Sequence, residues 1–133
     1  MSQENLELVR AAFRSFEEGD IEGVLRACDE NVEITQSAEL LGVSRNQYGH
    51  EGVREAFGFW PEQWDDFRIE LLRVADTGDQ VLVSTLQHGR GKGSGVEVEM
   101  PFSFVFTVRA GKVVSWQIFT REAEALKAAG IEE

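Results

Sequence analysis

The spacing of apolar residues changes after Asp66, and that change divides the chain into a helical first half and a stranded second half. Leu6, Val9, Phe13 and Phe16 recur at helical spacing, which predicts an amphipathic helix with Ser2 as N-cap and Glu4 in its first turn. Gly19-Asp20 stops it, and Asp20 caps a second, short helix carrying Val24, Leu25 and Cys28. The stretch NVEIT, Asn31 to Thr35, reads as a brief strand, and QSAELLGVSRNQYG after it, without clear periodicity, as a loop. A third helix begins near His50, with Glu51 at its positive end and Val53, Phe57, Trp60 and Trp64 on one stripe. Pro61 interrupts that stripe, so either the helix kinks there or Pro61 opens a fresh turn.

After the DDF stretch the period becomes two. Phe67 to Ala75, Gln80 to Gly89, Val96 to Val108 and Lys112 to Arg121 make four strands linked by hairpins, with ADTGD a turn by composition. A last short helix, REAEALKAAG, ends at Gly130. Helices grouped on one face of an antiparallel meander give an α+β domain. Sheet twist lets its long strands curl around the helices as a cone. No repeat or linker interrupts the chain, so residues 1–133 read as a single domain.

Composition narrows the partners. A net charge of −11 argues against nucleic acid and against an anionic membrane surface. The chain has no apolar run of membrane-spanning length, and MSQENLELVR lacks the order of a signal peptide. A lone cysteine, Cys28, rules out an internal disulfide and fits the cytoplasm. The expected partners are a small hydrophobic molecule and a second copy of the chain, because Val105 and Phe119 fall on the outer side of the sheet and call for cover.

Few residues offer chemistry. Glu33 is the best carboxylate for a cavity, but the apolar pair Val32 and Ile34 would turn Glu33 and Thr35 outward. The two histidines are too few and scattered for a metal site. His50 reads as a helix-start residue. With Val81, Val83 and Thr85 facing in, Gln87 falls inside and His88 outside. The loop GRGKGSG lacks P-loop spacing and a following helix, so it reads as a flexible hairpin. Tyr48 is either a lid donor to a ligand carbonyl or a surface tyrosine. Phe102, Phe104 and Phe106 recur at every second position, which is the stripe of either a plain core or a cavity wall.

The segments EEGDIEGVL, GHEGVREAF and VRAGKVVSWQIFTREAEALKAAGI resemble the SnoaL-like branch of the nuclear transport factor two-like superfamily. That superfamily also holds ketosteroid isomerases and limonene epoxide hydrolases. The resemblance implies a cone whose ligand pocket lies between the concave sheet face and the helices. Its catalytic residues are not matched here. The isomerase tyrosine falls on Ala12, its base on Thr35, and its second aspartate on Phe104 or Ser103. The implied cyclase histidine also falls on Phe104, and the epoxide-hydrolase aspartates and arginine have no counterpart. The alignment puts Thr35 inward where the hydrophobic pattern puts it outward.

The candidate ligand-binding residues are Thr35, Tyr48, Trp60, Trp64, Gln87, Phe104, Trp116 and Thr120, a mostly apolar set with a few uncharged polar groups. Catalytic residues stay unassigned, and no metal or cofactor is expected. The favoured function is binding of a small hydrophobic or cyclic molecule. The alternative is a polyketide cyclase, isomerase or hydrolase acting on a cyclic ketone, which needs an ionisable residue facing inward. A third reading, a cone used only for assembly, needs a cavity filled by the protein's own side chains.

Overall fold

The computed structural model describes residues 2–36, 45–58 and 60–131. Helices α1 (Ser2–Glu17) and α2 (Ile21–Ala27) lead into β1 (Cys28–Gln36); β2 (Arg45–Tyr48) and α3 (Gly49–Phe57) follow. A 3-10 turn (Pro61–Gln63) precedes β3 (Trp64–Asp76), β4 (Gln80–Gly91), β5 (Glu97–Arg109) and β6 (Lys112–Phe119), and α4 (Glu122–Ala128) ends the chain. The six strands form one open sheet in the order β2-β1-β6-β5-β4-β3. The fold is α+β, as the hydrophobic pattern predicts.

Local chemistry sets the joints. Asp20 caps α2 by accepting a hydrogen bond from the Gly23 N–H at 3.1 Å. Pro61 opens its own short turn, where its missing N–H costs nothing, instead of kinking α3. The β5–β6 hairpin turns on Ala110 and Gly111, both left-handed at φ 51° and 76°, the twist that suits a tight two-residue hairpin.

Four details depart from the sequence reading. The sheet is mixed, because β1 runs parallel to β6. Arg45 to Tyr48, taken as loop, pair antiparallel with β1; this polar segment has no apolar alternation, and only the neighbouring strand edge makes it a strand. The rest of that expected lid, residues 37–44, lies outside the described residues. Trp64 begins β3 instead of continuing the α3 stripe, and Cys28 begins β1 instead of ending α2.

The sheet has two covered faces. On the inner one, α1, α2 and α3 bury Val9, Phe13, Val24 and Val53 against Ile34, Val83 and Trp116. On the outer one, α4 lays Ala125, Leu126 and Ala129 over Leu82 and Val105, with Phe119 packed beside them. Of Val105 and Phe119, the residues that suggested a second copy as cover, Val105 is buried under the chain's own last helix and Phe119 is partly buried beside it. At seven residues α4 is too short to persist alone, so this apolar contact holds it. Among the described residues no helix is long and apolar enough to cross a membrane.

Candidate functional site

Period-two alternation decides what each strand offers inward. In β4 and β5 the register pairs Val81 with Phe106, Val83 with Phe104, Thr85 with Phe102 and Gln87 with Met100. In β6, Trp116 lies opposite Phe106 and Ile118 opposite Phe104, while β1 sets Ile34 beside Trp116 and Gln36 beside Ile118. The inner face thus grades from aromatic at the Phe106–Trp116 end to carboxamide at the Gln36 and Gln87 end. Between this face and α1 and α3 lies a cavity of about 180 Å³.

Its walls are rings locked edge to face. Phe13 meets Phe104 and Phe106 at centroid distances of 5.3 and 5.7 Å, and Phe57 stacks on Trp116 at 4.3 Å. Such pairs add about 0.5–1.5 kcal/mol each beyond area burial, and stiff rings do not collapse into a void as aliphatic chains do. Ala12 and Ala56 supply small side chains on the helix side, which leaves the space open. Glu55, exposed, stands at the rim.

The polar groups are few. Gln87 is buried, and its Oε1 accepts the indole N–H of Trp60 at 3.0 Å. Gln36 Nε2 donates to Gln47 Oε1 at 3.1 Å. Both glutamines of that pair line the cavity. The Trp116 indole N–H is enclosed and has no hydrogen-bond partner among the described residues. Cys28 closes the deep end next to Val113, and burial pushes its thiol up to about 12 from an ordinary 9.0, against a smaller lowering by Lys112. That thiol is protonated and inert at neutral pH.

Four of the eight candidates come together here: Trp60, Gln87, Phe104 and Trp116 all line the cavity. The other four do not. Thr35 sits between buried Ile34 and Gln36 on the opposite face of β1, so the hydrophobic pattern was right and the alignment wrong for this strand. Tyr48 is 61% exposed, on the same outward side as its partner Glu33. Trp64 packs its ring against Gly89, where an added Cβ would lie 2.8 Å from the Trp64 Cβ, and touches the cavity only through Trp60. Thr120 falls just past the end of β6. Gln36 and Gln47 are the residues the sequence reading missed. Each is the immediate neighbour of a candidate that faces away from the cavity, because a shift of one residue reverses the face.

The histidines lie elsewhere. His50 Nε2 bonds the Cys28 carbonyl oxygen at 3.1 Å, tying the start of α3 to β1. His88 points outward between Glu70 and Glu99, at 3.1 and 3.5 Å. Among the described residues no group of three metal-binding side chains gathers.

A SnoaL-like domain family model matches residues 9–116, most of the chain. The chain belongs to the SnoaL-like domain family. No curated protein matches it. Among solved structures it resembles a SnoaL-like polyketide cyclase, so assigned, from a Jannaschia species, with TM-score 0.77 and 18% identity over 98% of this chain and 94% of that one. A nuclear transport factor two-like protein of unknown function from Burkholderia pseudomallei gives TM-score 0.75 and 21% identity, over 93% and 95% of the two chains. TerC, crystallised with polyporic acid, gives TM-score 0.75 and 22% identity, over 96% and 98%. At these identities the likeness establishes the shared SnoaL-like fold.

Proposed function

We propose that this SnoaL-like protein binds a small, uncharged, largely hydrophobic ring compound in the cavity between α1, α3 and the inner sheet face. The observation that carries the reading is the composition of the wall: aromatic rings, three carboxamides and a protonated thiol, with no lysine, arginine, histidine or aspartate among the described lining residues. Acid–base catalysis needs an ionisable group held within hydrogen-bond reach of the reacting atom. Glu55, the one lining carboxylate, is exposed at the rim. A volume of about 180 Å³ sets the scale, since a dry cavity of about 150 Å³ accepts benzene. That volume is the scale of one substituted ring.

A catalytic reading, as polyketide cyclase, isomerase or hydrolase on a cyclic ketone, draws its support from the likeness to the Jannaschia protein. The two are separated by two measurements on the purified protein. Calorimetric titration with 4-isopropyltoluene is expected to saturate at one molecule per chain, and Ala12→Leu, which fills the space from α1, is expected to abolish it. Failure to saturate, or retention of binding by Ala12→Leu, would sink the binding reading. Proton magnetic resonance in deuterated buffer then tests whether the protein speeds exchange at the α-carbon of a cyclic ketone. The binder gives none, and clear acceleration would install the catalytic reading in its place.

A further inference from the structure

The cavity's polar end carries more information than its apolar walls. Gln87 is 2% exposed, on the inner side of β4 beyond Phe102 of the neighbouring strand. An indole N–H only donates, so its bond to Gln87 fixes which end of the carboxamide faces Trp60: the oxygen. The NH2 group is thereby aimed away from Trp60. Among the described residues it has no hydrogen-bond partner, and it is not sealed off as Trp64 Nε1, Asp76 Oδ2 and Trp116 Nε1 are. It opens onto free space, and the space that Gln87 lines is the cavity.

The second polar group behaves differently. In the Gln36–Gln47 pair both amides can rotate together and the bond re-forms in the reverse direction, so the pair offers a donor and an acceptor in interchangeable places. Gln87, unlike the sealed-off Trp116 N–H, is an open donor of fixed direction. No cation lines the cavity among the described residues, Glu55 stands at its rim, and the whole chain carries a net charge of −11. A carboxylate entering here would leave water for a site with no cation among the described residues and too few donors to replace its hydration.

From this arrangement, and resting on the binding function proposed above, we infer that Gln87 determines specificity: the ligand is a neutral single-ring compound whose hydrogen-bond acceptor, a carbonyl oxygen, is held by the Gln87 amide N–H. Trp60 is the positioning residue that keeps the donor pointed at it. The ring lies against Phe104 and Phe106, and the oxygen lies toward Gln87.

Three probes with one skeleton test this: 4-isopropyltoluene, 4-isopropylbenzaldehyde and 4-isopropylbenzoate, titrated calorimetrically at neutral pH into the wild type, Gln87→Met and Trp60→Phe. In the wild type the hydrocarbon and the aldehyde bind and the benzoate does not. In Gln87→Met, which keeps the volume and removes the donor, the ratio of aldehyde to hydrocarbon affinity falls about fivefold or more, the scale of one unpaired carbonyl. Trp60→Phe frees the amide to rotate and lowers the same ratio by about twofold to threefold. Because the readout is a ratio measured on one preparation, a partly unfolded variant changes both affinities and leaves it intact. An unchanged ratio in Gln87→Met, or benzoate binding as tightly as the aldehyde, overturns the inference while the binding function stands. Failure of all three probes on the wild type overturns both.

Discussion

The two faces of β4 and β5 are built by the same alternation and end in opposite states. On the inner face Phe102, Phe104, Phe106 and Gln87 border an open cavity. On the outer face Leu82 and Val105 are fully covered by α4. Beside them Ser84 donates to Glu122 Oε2 at 2.7 Å and accepts from Ser103 at 3.0 Å, so the buried hydroxyls are satisfied within the chain. The difference lies in the covering side chains. Leucine and alanine of α4 conform to what lies beneath them, whereas the rings of α1 and α3 prop each other apart. A face closed by aliphatic groups is support, and a face roofed by interlocked rings over small alanines is a receptacle.

Removing apolar bulk on the closed face gives the largest effect. Leu126→Ala, at a site 1% exposed, is expected to cost about 3 kcal/mol in urea unfolding and to release α4. A cost under about 1 kcal/mol would mean that α4 is not what closes that face.

The Cys28 thiol sharpens the contrast through pH. Its folded pKa of about 12 lies above its ordinary 9.0, so the stabilisation from keeping it protonated is complete below pH 9 and is lost as pH rises toward 12. At pH 10.5 the wild type should have lost about 2 kcal/mol relative to Cys28→Ala, read from parallel unfolding curves. Parallel pH profiles for the two proteins would show that the deep end of the cavity is wet.

The smallest effect is the most direct comparison. Ala125→Leu adds bulk to the closed face and is expected to destabilise by about 1.5 kcal/mol. Ala12→Leu adds the same bulk to the open face and is expected to be neutral or to stabilise by up to about 1 kcal/mol. Equal costs for the two in thermal unfolding would mean that the inner face holds no usable space.

Much of this protein was legible in one dimension. Helical spacing from Leu6 to Phe16, the Asp20 cap, the turn at Ala110-Gly111 and the period-two strands fixed every long element, because each rests on side chains close in sequence. The inward direction of Gln87 and the outward direction of His88 followed from counting along one strand. The glycine-joined segments that resemble the SnoaL-like family lay in the same order as in the structure. Where two arguments conflicted, at Ile34-Thr35, the burial pattern was the sounder, since it is set by solvent.

Tertiary structure decided the rest. Arg45 to Tyr48 became a strand only because the edge of β1 was there to pair with, and β1 joined β6 in parallel across most of the chain's length. Gln36 meets Gln47, and Trp60 meets Gln87, at sequence separations that no local pattern spans. Val105 is buried, and Phe119 partly buried, because a seven-residue helix folds back over them. Sequence specifies which face a side chain prefers; what stands opposite that face, and whether space is left between, depends on non-local packing of rigid rings and small residues.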